Sequence, residues 1–434
     1  MKKRRKVRKR TLLNQWKLAI LLQILKLYLR VVYCFIKLFT KQEDQVFFLS
    51  RQYNFLSYNY KAIIKRLGKE HKEIKVKVIC QKINSDLNES FRDNEVTSNF
   101  FRIIKKLEKE IKYAIDYIGN LHTQMYYIAK SKVIVIDGYN IPVSVLKHKK
   151  DTTVIQIWHA LAAIKKFGYQ SIGYKDGVNP KVAKILKMHA NYDFVISGSD
   201  AMKPYFAEAF NVDENKILSI GTPYLDYLLS DGKKQKDKIY EKYPILKEKI
   251  NILYSPTFRR DGRDNIEEVI NSIDLDKYNL IVTYHDKDGK KVNRNSRVLT
   301  CSDVPYRDLI KIADYVITDY SALSVEAAVV NAKVLLYVYD YEQYKEENGI
   351  NIDLFKEFPK YTSTNIKELV KVIEEDNYDM DILNNFRNKY VSNLSGNSTE
   401  LIAELIAETM YNKDDLDVRK LEKKRKKKKS AQVK

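Results

Sequence analysis

From residue 45 onward the chain alternates short apolar runs with longer stretches of helical periodicity. VFFLS (46–50), IKVKVIC (74–80), KVIVID (132–137), TVIQIW (153–158) and FVISGS (194–199) read as strands buried on both faces. Between them, residues 99–118 and 180–190 carry amphipathic helical spacing. A polar, Lys-rich stretch at 230–249 interrupts the rhythm. It resumes with NILYSP (251–256), LIVTYH (280–285), YVITDY (315–320) and KVLLYVY (333–339), and helical periodicity returns at 365–375 and 401–411. This alternation predicts an α/β fold of two Rossmann-like domains, at 45–230 and 231–412, each a doubly wound parallel sheet with ligands outside the strand C-termini.

The segment before the first strand follows a different pattern. Across 11–39 the apolar residues are broken at Gln23, Lys26, Arg30, Tyr33 and Lys37, spacings that place one polar stripe along a helix. The longest unbroken apolar run, Leu18 to Leu22, is too short to span a bilayer, and no small-residue cleavage site follows, so a secretory signal is not expected. Eight Lys/Arg at 2–10 precede this helix, and seven more stand at 423–429. The net charge of +22 therefore sits mostly in the two runs, which leave +7 for everything between. A basic arm beside an apolar helix predicts a membrane-association segment over 1–44 that lies in the plane of an anionic surface. A helix packed on the protein's own core is the competing arrangement. The second run predicts a disordered basic tail over 413–434. Cys34, Cys80 and Cys301 form no CxxC pair, which excludes a disulfide framework or zinc ribbon and fits a reducing compartment.

Candidate chemistry gathers at strand ends. In TDYSALSVEAA (318–328) a strand gives way to a helix near Ser321, whose start offers N–H groups and a positive dipole end to a phosphate. Glu326, one turn further in, is placed to accept both hydroxyls of a ribose. His159 and His285 each close a strand, one in either half, as a candidate proton acceptor and phosphate holder. His71, His122, His148 and His189 have no such setting and are read as structural. SPTFRR (255–260) offers the Thr257 hydroxyl and the planar fork of Arg259 or Arg260 to a phosphate. Lys165 and Lys166 are read as meeting an anionic acceptor. GxxxxGK[ST], GxSxG, HExxH and a strand-end DxD are all absent, which argues against a P-loop kinase, an esterase elbow, a zincin and a metal-dependent nucleotide-sugar site.

Six segments in order resemble the CDP-glycerol glycerophosphotransferase family of teichoic-acid primases and polymerases. They are SRQYNFLSYN (50–59), QIWHALAAIKKFG (156–168), residues 197–226, ILYSPTFR (252–259), residues 303–328 and YVYDYEQYKEENGINIDL (337–354). The resemblance implies a fold of the glycosyltransferase B type and transfer of glycerol or ribitol phosphate from a CDP-alditol, with release of CMP. The acceptor it implies is a lipid-linked polyanion at the cytoplasmic face of a bacterial plasma membrane. It further implies catalytic residues His159 and His285, and donor-binding residues Pro256, Thr257, Ser321, Ala322 and Glu326. No cofactor, metal or nucleic-acid partner is expected. Where the family has WHGTP, TDYSS and GYPRND, this chain has WHALA, TDYSA and GTPYLD, so Tyr224 stands where an arginine is usual. The competing readings are a nucleotide-sugar glycosyltransferase of the same fold and a non-enzymatic binder of polyanions.

Overall fold

The computed structural model describes residues 2–81, 116–175, 177–259, 262–283 and 297–427. Eleven strands among them form two sheets. The first contains β1 (Glu43–Ser50), β2 (Lys75–Cys80), β3 (Ser131–Ile136), β4 (Thr153–Gln156), β5 (Phe194–Ile196) and β6 (Ile217–Leu218), in the order β2-β1-β3-β4-β5-β6. The second contains β7 (Ile250–Tyr254), β8 (Tyr278–Val282), β9 (Tyr315–Thr318), β10 (Lys333–Tyr337) and β11 (Thr362–Ser363), in the order β11-β10-β9-β7-β8. Every pairing with a described register is parallel, Phe47 facing Ile134 and Leu253 facing Val316 among them. Parallel strands covered on both faces have no polar side to show, which is why Val46, Phe47, Phe48 and Val133–Ile136 are all fully buried. In both sheets the first strand leads to a neighbour on one side and the third strand pairs on the other. The topological switch points thus lie beyond β1 and β3, and beyond β7 and β9.

Two compact units are formed. One comprises Met1–His159, Asn179–Val195 and Ala403–Leu416, and the other Ala160–Val178, Ile196–Ile402 and Asp417–Lys434. The two sheets divide on either side of residue 230, while shorter segments alternate between the units. The physical reason for one of them is plain. Residues 163–166 hydrogen-bond to the 349–351 segment, Lys165 forming an antiparallel bridge with Ile350, and this fixes 160–178 within the second unit.

From β4 onward the strands that were read end two or three residues short of the sequence reading, β4 because Ile157 is buried as a loop residue and Trp158 has left-handed backbone (φ 51°). The expected helix at 180–190 stops at Ile185, because Lys187, His189 and Asn191 all take positive φ. Most of the one expected at 99–118 lies outside the described residues. The basic tail departs from expectation. Val418–Lys427 is helical, Leu421 is buried, and buried Arg425 pairs with Asp200 and donates to the Ser219 carbonyl. A cationic run folds here because one of its forks finds a carboxylate and a carbonyl, while Glu422 accepts from Lys203.

The N-terminal helix, Lys2–Phe39, packs on its own unit through the stripe that interrupts its apolar face. Leu29 and Tyr33 are buried, Arg30 Nε donates to the Val145 carbonyl, Lys37 Nζ to that of Lys147, and the Tyr28 hydroxyl meets His122. Trp16, Leu21, Ile24, Leu27, Val31, Phe35 and Phe39 stay exposed. By length and composition Trp16–Phe39 is able to cross a membrane, with mean hydropathy 1.9 over its best window.

Candidate functional site

In the second unit the loop after β7 and the turn after β9 are tied together by one carboxylate. Asp319 accepts from the Thr257 amide at 3.0 Å, the Thr257 hydroxyl at 2.6 Å, the Tyr320 amide at 2.7 Å and Arg259 Nη1 at 2.6 Å. Arg259 then gives Nε and Nη2 to the two oxygens of Asp340, at 3.0 and 2.9 Å, and Tyr320 donates its hydroxyl to the same residue. The guanidinium lies 5.1–5.4 Å from the rings of Tyr320, Tyr339 and Tyr344, the first and last of which stack at 3.8 Å. Arg259 is only 6% exposed, and burial works against its charge, but the two carboxylates more than offset this and hold its proton more firmly than usual. The sequence reading offered Thr257 and Arg259 to a phosphate. The structure commits the Thr257 hydroxyl to Asp319, and the fork of Arg259 to Asp319 and Asp340. Both aspartates were missed, though a strand-end Asp inside TDYS was the available signal.

The helix that follows is Leu323–Val329, seven residues long, with Ala322 as its cap and Ser321 in the preceding turn. Ser321 Oγ accepts from the Leu323 amide at 3.2 Å, and its carbonyl accepts from the Ser324 hydroxyl. Pro256, half-buried, leads from β7 into Thr257. Glu326 is 6% exposed and takes a 3.0 Å hydrogen bond from the hydroxyl of Tyr224, on the helix Pro223–Leu229. Tyrosine here supplies a neutral donor where the resemblance called for arginine. Burial raises Glu326 to about 7, and Tyr224 only partly opposes that.

This carboxyl makes stability depend on pH in a defined sense. The folded chain holds the Glu326 proton above pH 4.5, where the unfolded chain has released it, so stability falls from there up to about pH 7. A shift of this size corresponds to about 3 kcal/mol. Glu326→Gln keeps the Tyr224 bond without the titration. Its advantage over wild type in urea unfolding is therefore expected to grow by that amount between pH 4.5 and 8, and a pH-independent difference would refute the assignment.

His159 belongs to the first unit. It is exposed, and its Nδ1 lies 3.2 Å from the carbonyl of Asp137, just past β3 and at that sheet's switch point. A carbonyl only accepts, so Nδ1 carries the proton and the neutral ring has its lone pair on Nε2. The Trp158 ring packs against the imidazole at 4.1 Å, and the Trp158 amide donates to Gln156 Oε1, which holds the left-handed turn. Burial raises the Asp137 carboxyl to about 6, against a lowering by the Ser50 hydroxyl. His285 and Arg260 lie outside the described residues. His148 and His189 are buried against Val143 O and Tyr192 Oη, His122 meets Tyr28, and His71 ends the helix Tyr58–Glu70, which fits their structural reading.

Lys165 is exposed and bridges to Ile350, in the segment that follows the helix Tyr341–Asn348. Its neighbour Lys166 donates to the Tyr174 hydroxyl at 3.0 Å.

The family model for CDP-glycerol:poly(glycerophosphate) glycerophosphotransferase matches residues 31–408. The teichoic acid ribitol-phosphate primase of Bacillus spizizenii is 29% identical over 350 residues, covering 73% of this chain and 89% of that protein. The teichoic acid glycerol-phosphate primase of Bacillus subtilis is 30% identical over 295 residues, covering 65% and 76%. The solved wall teichoic acid polymerase TagF superposes over 93% of this chain and 99% of its own, with TM-score 0.64 at 17% identity. That likeness shows the expected fold of the glycosyltransferase B type.

Proposed function

Because the chain belongs to the CDP-glycerol:poly(glycerophosphate) glycerophosphotransferase family, we propose that it transfers glycerol phosphate or ribitol phosphate from a CDP-alditol to a lipid-linked teichoic-acid acceptor. The terminal hydroxyl of the acceptor attacks the β-phosphorus of the donor, a new phosphodiester forms, and the bond to CMP breaks. The observation that carries the reading is His159, exposed and with its tautomer set by Asp137 O. Nε2 takes the proton of the attacking hydroxyl. Pro256, Thr257, Ser321 and Ala322 form the donor-facing edge of the second unit, and Glu326 takes the ribose hydroxyls.

The N-terminal helix holds the enzyme on the cytoplasmic face of the membrane as a peripheral protein. The helix lies along the protein from Leu18–Leu22, beside Val182 and Ile185, to Lys37, and its exposed apolar residues face the bilayer interior. The basic residues at 2–10 add attraction to anionic lipid.

One experiment tests both statements. Purified protein is mixed with acceptor-bearing anionic vesicles and labelled CDP-glycerol or CDP-ribitol, then sedimented. Release of CMP with labelled, vesicle-bound product is expected from at least one donor. Turnover of UDP-sugars in place of both CDP-alditols would defeat the reaction, and protein left in the supernatant would defeat the anchor.

A further inference from the structure

We infer that Lys165 supplies the positive charge that meets the diphosphate of the CDP-alditol donor. The inference rests on the donor chemistry proposed above and moves Lys165 from the acceptor to the donor side of the reaction.

Four neighbouring cations among the described residues are already engaged. Arg259 Nε, Nη1 and Nη2 all donate to carboxylates. Lys166 is held by Tyr174, and Lys175 and Arg263 both pair with Glu347. Lys165 Nζ forms no hydrogen bond or ion pair among the described residues. Yet its backbone is fixed. The residue bridges to Ile350, the Lys166 amide donates to Gly349 O at 3.1 Å, and Asn351 donates from its amide to Ile164 O and from its side chain to Ala163 O. An anchored stem with an uncommitted ammonium is a charge held ready for an anion.

Its surroundings point to the same ligand. More than a third of Lys165 is exposed, and the segment that anchors it, Gly349–Asn351, directly follows the helix Tyr341–Asn348, whose Tyr344 stacks on Tyr320 beside Ser321. Asp319, which raises its proton affinity, opens the turn that leads to Ser321 and the helix carrying Glu326. One arginine against Asp319 and Asp340 leaves that platform with an excess negative charge. A diphosphate approaching Ser321 would be repelled by the excess unless a further cation offsets it, and Lys165 is held by the segment next to Tyr344, which stacks on Tyr320.

Calorimetric titration of the full chain with CDP, CMP and cytidine tests the assignment. Lys165→Ala should weaken CDP by about ten- to a hundredfold, weaken CMP less and leave cytidine unchanged, the loss expected for one charge-assisted contact. Lys165→Arg should recover most of the CDP affinity, and Lys166→Ala should leave it unchanged. An equal loss for all three ligands, or unchanged CDP affinity in Lys165→Ala, overturns the inference. Unchanged CDP affinity with a raised acceptor KM would return Lys165 to the acceptor. Wild-type protein that binds neither CDP nor CDP-glycerol would instead overturn the donor reading itself.

Discussion

His159→Ala is expected to lower CMP release by about a hundred- to ten-thousandfold, the range that a positioned general base contributes, while CDP-glycerol binding changes little. The split follows from the placement of the residue. Its ring is exposed at the C-terminal edge of the first sheet, and the residues proposed to hold the donor all belong to the second unit. Asp137 O fixes the Nδ1 proton, so Nε2 is the nitrogen able to receive one. His159→Asn, which cannot act as a base at neutral pH, should fall as far as the alanine variant. The acid limb of the pH–rate profile should disappear with either. Rapid-quench turnover and donor titration on the same preparations decide the matter. Unaltered CMP release would remove His159 from the chemistry, and a loss confined to donor affinity would make it a phosphate holder.

How far such a site is legible in sequence depends on whether its partners are close along the chain. The strands were legible because parallel strands buried on both faces demand continuous apolar runs, as in VFFLS and KVLLY. β6 and β11 escaped notice because two residues carry no period. Past the strands, apolar composition misleads, since Ile157 is buried without being paired as strand and Trp158 turns away. The position of His159 just past a strand was legible. The platform was not. Arg259 lies 60 positions from Asp319 and 81 from Asp340, and a basic residue after a strand suits a phosphate as well as a carboxylate. Only the tertiary fold chooses between the two. Glu326 read correctly as a carboxyl one turn into a helix, but its burial beneath Tyr224 depends on a contact 102 residues distant. The tail misled for a related reason. Its composition predicts solvation, and the partners of Arg425, Asp200 and Ser219, are more than 200 positions away.

Arg259→Met is the substitution expected to cost the most stability, about 3–5 kcal/mol, as for the removal of one partner from a buried ionic group. Methionine fills much of the volume under Tyr339 and Tyr344 but offers no donor. Asp319 and Asp340 would then face each other across an apolar slot, 2% and 9% exposed, with no cation between them. Asp319 would keep Thr257 and Tyr320 as donors, whereas Asp340 would keep little beyond the Tyr320 hydroxyl, so Asp340 bears most of the penalty. The double variant Arg259→Met/Asp340→Asn should therefore regain part of the loss. The regain distinguishes a platform from a phosphate ligand, because relieving a buried carboxylate restores folding and restores nothing to a binding contact. Urea unfolding at pH 7 supplies the measurement. If Arg259→Met unfolds at the wild-type midpoint and only loses CDP affinity, the guanidinium serves the donor directly and the platform account is wrong.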